Sequence, residues 1–498
     1  MDTQRFQSPD SEQDHNESAP KLHRRTVLKL GLGTLGLSAA TLAAIESFSW
    51  VPERTAHAAP ATLPDIQYDI EKYLPPAHNI NGIAFRFGPV HSLFLTAQLQ
   101  RTPTKNDAST LANALDTIES AYPFSPQGVF TFISYGLPYF HRLPKNLFNT
   151  YIPRLLSDPQ RFALEEAVPG PTDVSPQNPS IHKLNFNIPV VIESNDLLFT
   201  IRSDSLSNLQ NVSSWLQGTT DILNGQHIPP PDFSTLLTFT SSRLMFLQKG
   251  LPRQLADANT LPYAERINPS SPMWMGFADQ QVDGSGPATI TTFQGNSSAR
   301  FTNTKSGDYF YDGSIQHLSH VIQDLGQFYG DTETFIERCQ YMFRSDPIPS
   351  LGNKDQFKNG GGPAYLDNIF QGPNDAQKNA QGKGTYQHQH RMGHLTGLQR
   401  SSRAKNGTPI HIRMDGPGYD SMDMPDGSNQ PKLQFTIFVP TADFFVKLRE
   451  NSASLDLVNK YGVSDNNNGI ERFLTATRRQ NFLVPPRAHR AFPLIEFT

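Results

Sequence analysis

Three constellations in this sequence carry residue types able to do chemistry. Met275-Gly276-Phe277-Ala278-Asp279 places a carboxylate just after a tight glycine in an otherwise apolar setting. Gln387-His388-Gln389-His390-Arg391-Met392-Gly393-His394 is the densest histidine cluster of the chain. Ile410-His411-Ile412-Arg413-Met414-Asp415-Gly416-Pro417-Gly418 sets an arginine in a strand-like run that ends in a Gly-Pro-Gly turn. A carboxylate moves protons, a guanidinium stabilises developing negative charge, and an imidazole ligates metal. Together these are the parts that peroxide cleavage at a haem iron requires. Taken singly they read as a turn residue, a salt-bridge arginine and a packed histidine. His388, His390 and His394 also spell H-x-H-x-x-x-H, a spacing that suits zinc or copper with one open position. The plainer reading leaves His388 and His390 on a solvated, glutamine-rich loop.

The elements that must position these residues are mostly strand-like. In the first half, residues 82–87, 92–97, 128–134 and 196–201 read as strands. Residues 108–121, with Leu111, Leu115 and Ile118 at three- and four-residue spacing, read as a helix, as do 205–216. In the second half a strand over 313–322 leads into 324–329, and the alternating run 433–439 precedes a helix over 443–452. Strand–helix–strand units of antiparallel character in each half predict two α+β sandwiches packed together. The expected division is 59–260 and 261–498. From Pro347 to Gln389 the chain turns to Gly, Asn, Gln and Pro, which reads as a loop insertion over residues 347–389.

The order of these pieces resembles the dye-decolorising peroxidases. Gly276-Phe277-Ala278-Asp279 looks like that family's G-x-x-D-G signature, and Gly313-Ser314 leading to Asp324-Leu325 looks like its G-S strand and following helix. His394-Leu395-Thr396-Gly397 occupies the place of its histidine segment, Arg413 falls nineteen residues later in a glycine-turn context, and Asn468-Gly469-Ile470-Glu471-Arg472-Phe473 with Asn481-Phe482-Leu483-Val484-Pro485 is similar to its C-terminal end. The resemblance implies two ferredoxin-like halves of the dimeric α+β barrel type, with antiparallel sheets. It implies haem b, with His394 as iron ligand, Asp279 as the proton acceptor from hydrogen peroxide and Arg413 as the stabiliser of charge. Of Phe435 and Phe438 on the next strand, one is expected to line the pocket. An organic reductant completes the reaction, and its identity is not legible. Gln280 stands where the motif has its second glycine, so a non-catalytic secreted binding protein of the same fold is the alternative. His411 is the next histidine to consider as ligand.

The N-terminus carries its own message. His23-Arg24-Arg25-Thr26-Val27-Leu28-Lys29, an uncharged run from Leu30 to Ile45 and Ala56-His57-Ala58 have the order of a twin-arginine signal with a small-x-small cleavage site. About sixteen residues diluted with glycine are short for a membrane span, so residues 1–58 are expected to be removed and the protein exported, to the periplasm, envelope or medium, without a stable membrane anchor. The rest carries 36 Lys+Arg against 39 Asp+Glu, which offers nothing to nucleic acid. With one cysteine, Cys339, in the whole chain, no internal disulfide can form and packing must hold the fold.

Overall fold

The computed structural model describes residues 62–76, 78–80, 83–85, 88–269, 271–277, 287–296, 299–332, 335–342, 393–394, 410–464 and 467–498. The expected signal segment 1–58, Asp279, Gln280, His388, His390 and the expected insertion at 347–389 lie outside the described residues.

The first half runs β1 (His91–Leu99), α1 (Lys105–Ala121), β2 (Phe130–Gly136), β3 (Leu197–Ser203), α2 (Leu206–Leu216) and β4 (Leu237–Phe246). Thr104 and Asp107 form a capping box that starts α1, and Leu111, Ala114, Leu115 and Ile118 make its buried stripe. The second half runs β5 (Ser314–Gln323), α3 (Leu325–Asp331), α4 (Phe335–Met342), β6 (Ile412–Arg413), β7 (Gly416–Asp420), β8 (Gln430–Val439), α5 (Ala442–Ala453) and β9 (Leu474–Val484). The strand order is β2-β3-β1-β4 in the first half and β6/β7-β8-β5-β9 in the second, all antiparallel. Both are ferredoxin-like, and the chain is an α+β protein of two such halves.

β9 pairs with β2 through Phe482↔Gly136 and Leu483↔Tyr135, which merges the halves into one ten-stranded sheet. Its outer strands β4 and β7 also meet. A Cβ on Gly418 would lie 3.0 Å from the Leu244 carbonyl oxygen, and one on Gly416 would lie 2.9 Å from Met245 Cγ, so only glycine permits this approach. Trp274 Nε1 donates to the Gly418 carbonyl at 3.0 Å and fastens the seam. The enclosed face holds Tyr68, Phe94, Phe132, Leu198, Met245, Leu318, Met414, Phe438 and Phe482. The opposite face of each half lies under its helices.

The two halves repeat one irregularity. The β1–β4 register steps between Thr96 and Ala97, which face Ser241 and Phe239 and leave Thr240 as the extra residue. The β5–β9 register steps between His320 and Val321, which face Arg478 and Ala476 and leave Thr477. Each bulge sits in a similar local sequence, Leu237-Thr238-Phe239-Thr240 and Leu474-Thr475-Ala476-Thr477, which differ only at the third residue. A bulge reverses the in-out parity of its strand. Ala476 before it and Arg479 after it therefore share the helix-side face.

Candidate functional site

The matched registers allow the halves to be compared position by position on the helix-side face. In the first half β1 presents Leu93 and Leu95, β2 presents Ile133 beside Phe199, and β4 presents Phe239 beside Ala97. These join the main apolar core. The second half places His317 and Ser319 where Leu93 and Leu95 stand, and Ala476 beside Val321 where Phe239 stands. Arg413 pairs with Ile437 and Gly416 with Gln434, so Asp415 between them stands beside Phe435, in the place of Ile133 beside Phe199. One copy of the fold is packed solid here; the other is polar and hollow.

The hollow is a pocket of about 80 Å³ between the sheet and α5. Val321, Leu433, Phe435, Leu448, Leu474 and Ala476 are its apolar walls, and His394, Arg413, Asp415, Arg449, Arg479 and Asp173 its polar ones. Arg413, Met414 and Asp415 alternate as extended chain must: Met414 packs in the enclosed core, while its two neighbours line the pocket. The same alternation separates the two phenylalanines. Phe435 lines the pocket; Phe438 faces the other way and stacks on Tyr68 with ring centroids 4.0 Å apart.

His394 backs onto Gly469, whose positive φ (55°) and missing Cβ let the histidine backbone approach; a Cβ there would lie 3.3 Å from His394 N. His394 Nδ1 is buried and has no hydrogen-bond partner. Burial lowers the imidazole pKa to about 4; Glu471 opposes that shift, and Arg413 and Arg449 add to it. The ring is therefore neutral near pH 7, the form in which imidazole ligates metal.

Glu471 sits in a cage. Thr172 Oγ1 donates to its Oε2 at 2.6 Å, Ser452 Oγ to its Oε1 at 2.8 Å and Arg449 Nη2 to its Oε2 at 2.9 Å. Burial alone would raise its pKa, but Arg449, His394 and the Thr172 hydroxyl hold it well below the carboxylate range. Arg449 Nε, at the pocket wall, is buried without a partner.

On the sheet side, Arg479 and Asp173 form a bidentate pair at 2.7 and 2.8 Å, and the Gly170 amide donates to Asp173 at 2.6 Å. Despite burial, Arg479 keeps the Asp173 pKa below its ordinary value. Arg479 Nη1 donates to Ser319 Oγ at 2.7 Å. His317 closes the network, with Nδ1 2.7 Å from Asn481 Oδ1 and Nε2 2.5 Å from Ser319 Oγ. Its ring stacks on Phe445, and burial holds its pKa far below the usual value.

The structure thus brings together His394, Arg413 and Phe435 of the residues singled out in the sequence, and leaves Phe438 in the enclosed core. His411 is buried beside Phe444, with ring centroids 6.5 Å apart, and does not line the pocket. Sequence reading missed Asp415, Asp173, Arg449, Glu471 and Arg479. For Asp415 a signal existed, since it stands two residues after Arg413 in an extended run. Among the described residues no three His, Cys, Asp or Glu side chains group as a metal site. A metal held by this wall of the pocket would take His394 as its protein ligand and most of its coordination from elsewhere.

Similar solved structures are peroxidases of the dye-decolorising type, all at low identity. A putative enzyme from Shewanella oneidensis is 15% identical, covering 83% of this chain and 97% of that one, with a TM-score of 0.45. One from Bacteroides thetaiotaomicron is 12% identical, covering 84% and 97%, with a TM-score of 0.46. A Rhodococcus jostii DypB variant in complex with heme is 12% identical, covering 81% and 95%, also at 0.46. No curated protein sequence matches the chain. The sequence profile of DUF7405, a family of unknown function, spans residues 89–486, and the chain belongs to that family.

Proposed function

We propose that the chain is an exported haem peroxidase of the dye-decolorising type, which holds haem b through His394 and uses hydrogen peroxide to oxidise an organic reductant. The observation that supports this reading is the difference between the halves. Leu93, Leu95, Ile133 and Phe239 fill one copy of the fold, while His317, Ser319, Asp415 and Ala476 open the other beside a neutral histidine with an unpartnered ring nitrogen. Buried polar groups without partners are costly, and an iron atom satisfies an open imidazole nitrogen.

The donor set fits haem. His394 Nδ1 is open, Arg449 Nε is open to a carboxylate, and the walls are largely hydrocarbon. The space is short: about 80 Å³, against the roughly 300–1,000 Å³ that organic cofactors occupy. Loading therefore requires the pocket to widen. When bound, the haem supplies a redox-active iron. The chain would supply a neutral imidazole at His394 to hold the iron, a permanent cation at Arg413 to hold an anionic oxygen, and apolar walls that exclude water. Haem insertion before export fits the twin-arginine signal at Arg24-Arg25, with removal near Ala58.

Protein made with a haem supply should show a Soret band, and His394→Ala should lose or shift it. His388→Ala/His390→Ala should leave it unchanged, whereas a zinc or copper site at the histidine cluster would lose metal on any of the three changes. A colourless wild-type protein overturns the haem reading. Gln280, in place of the motif glycine, favours a second reading in which haem is bound without turnover; a dye-oxidation assay with peroxide separates the two.

A further inference from the structure

We propose that the turn 170–178 is a latch on the pocket: its Asp173 occupies, on Arg479, the place that a carboxylate of the bound ligand takes over, and ligand binding releases the turn. The proposal rests on the haem reading above, since haem brings two carboxylates.

Two neighbouring arginines of β9 set the frame. Arg478 and Arg479 follow the bulge and point to opposite faces of the sheet, at the positions where the first half carries Ser241 and Ser242. Each is met by a carboxylate from the segment that joins the halves. Glu193 accepts from Arg478 Nη1 on one face at 3.3 Å, and Asp173 holds Arg479 on the pocket face with both oxygens. The two attachments differ in kind. Glu193 belongs to the sheet, because Val191 and Ile192 pair with Arg478 and Arg479 and the Glu193 amide donates to the Arg479 carbonyl at 2.9 Å. Asp173 stands in a stretch, 152–190, that contains no helix and no strand. Its turn is bonded to itself. The Gly170 amide donates to Asp173 Oδ2 at 2.6 Å, the Asp173 amide to the Gly170 carbonyl at 3.0 Å, and Asn178 Nδ2 to the carbonyls of Gly170 and Asp173 at 2.8 and 3.1 Å. A turn closed on itself in this way moves as a unit once its outward fastenings let go.

Asp173 and Arg479 both line the pocket, so their pair is part of the wall that must give way on loading. Opening without an anion would leave Arg479 buried and unpaired, which is costly. Exchanging one carboxylate for another keeps the guanidinium fork paired. Arg479 Nη1 stays on Ser319 Oγ at 2.7 Å, and Ser319 is itself held by His317, so the guanidinium keeps its orientation while its partner changes. A ligand without a carboxylate gains nothing at Arg479 and leaves the latch shut.

Hydrogen exchange of the full chain, read by mass spectrometry, separates release from closure. In the haem-loaded protein the amides of 170–178 should exchange roughly tenfold faster than in the haem-free protein, the reverse of the protection that a ligand ordinarily gives a pocket wall. Haem dimethyl ester, in which both carboxylates are blocked, should leave those amides as slow as in the haem-free protein, whether or not a Soret band forms. Asp173→Asn should make the turn exchange fast without haem. Gly170→Ala, whose Cβ would lie 3.1 Å from Asp173 Oδ2, loosens the same pair and gives the same reading if the asparagine variant folds poorly. Equal or slower exchange of 170–178 in the haem-loaded wild type, release by the ester, or slow exchange in both variants overturns the latch while leaving the haem site standing. Absence of a Soret band in the wild type overturns both.

Discussion

Asp173 and Arg479 are 3% and 2% exposed, so each is tolerable only because of the other. Removing one partner of a buried ion pair costs about 3–5 kcal/mol, far more than a surface pair is worth. Arg479→Leu should therefore destabilise strongly in urea unfolding, and Asp173→Leu/Arg479→Leu should recover much of the loss. Acid should expose the same pair. The folded-state pKa values of Asp173 and Glu471 lie below their ordinary 3.8 and 4.5, so their contribution is fully present above those values and is lost as pH falls beneath them. Chemical denaturation between pH 7 and 3 should show a steeper acid loss in the wild type than in Asp173→Leu/Arg479→Leu. None of this pairing was legible in the sequence, because the partners are 306 residues apart. His394 and Arg413 were legible because each sits in a local run of unusual composition.

At the scale of elements, spacing located β1, β2, β3, β5 and β8 and the helices α1, α2 and α5 to within a few residues. It did not reveal β4 or β9 as strands. The reason is the bulge: in Leu237-Thr238-Phe239-Thr240-Ser241-Ser242-Arg243 and its counterpart, the extra threonine breaks the two-residue alternation by which strands are read. The same bulges make Ala476→Phe an informative change, since it writes Phe239 into the second half. Filling the pocket should cost at most about 1–3 kcal/mol, visible as a small shift in Tm, and should abolish haem uptake measured by the Soret band. Gly418→Val should behave oppositely. Its side chain would press on the Leu244 carbonyl and Gln434 and part the seam between β4 and β7, so thermal stability should fall and the pocket chemistry should follow only indirectly.

For the molecule as a whole, the haem proposed above would have to enter a pocket of about 80 Å³ between the sheet and α5, which would make its entry a matter of timing. Protein folded without haem and mixed with it later should develop its Soret band slowly, whereas protein folded with haem present should acquire it at once; stopped-flow absorbance distinguishes the two. The export proposed above would then have to carry a finished, folded molecule. Replacing Arg24-Arg25 with two lysines should leave haem-loaded precursor in the cytoplasm, checked by cell fractionation. The two-halved architecture was legible because element order repeats along the chain.

The shared threonine bulge has a consequence for ancestry. Two sequences that fold alike and misalign at the same place, opposite the same partner strand, are what copying and fusing one gene leaves behind. After such an event one copy could keep the sealed interior of the founder while the other accumulated losses of bulk, Phe239 against Ala476 and Leu95 against Ser319. The first half then serves as a record of the uncarved state. Among relatives, a chain lacking one residue between Ala476 and Arg479 would have its parity reset and its arginine turned away from Asp173, a single gap that marks a lineage in which the hollow has been given up.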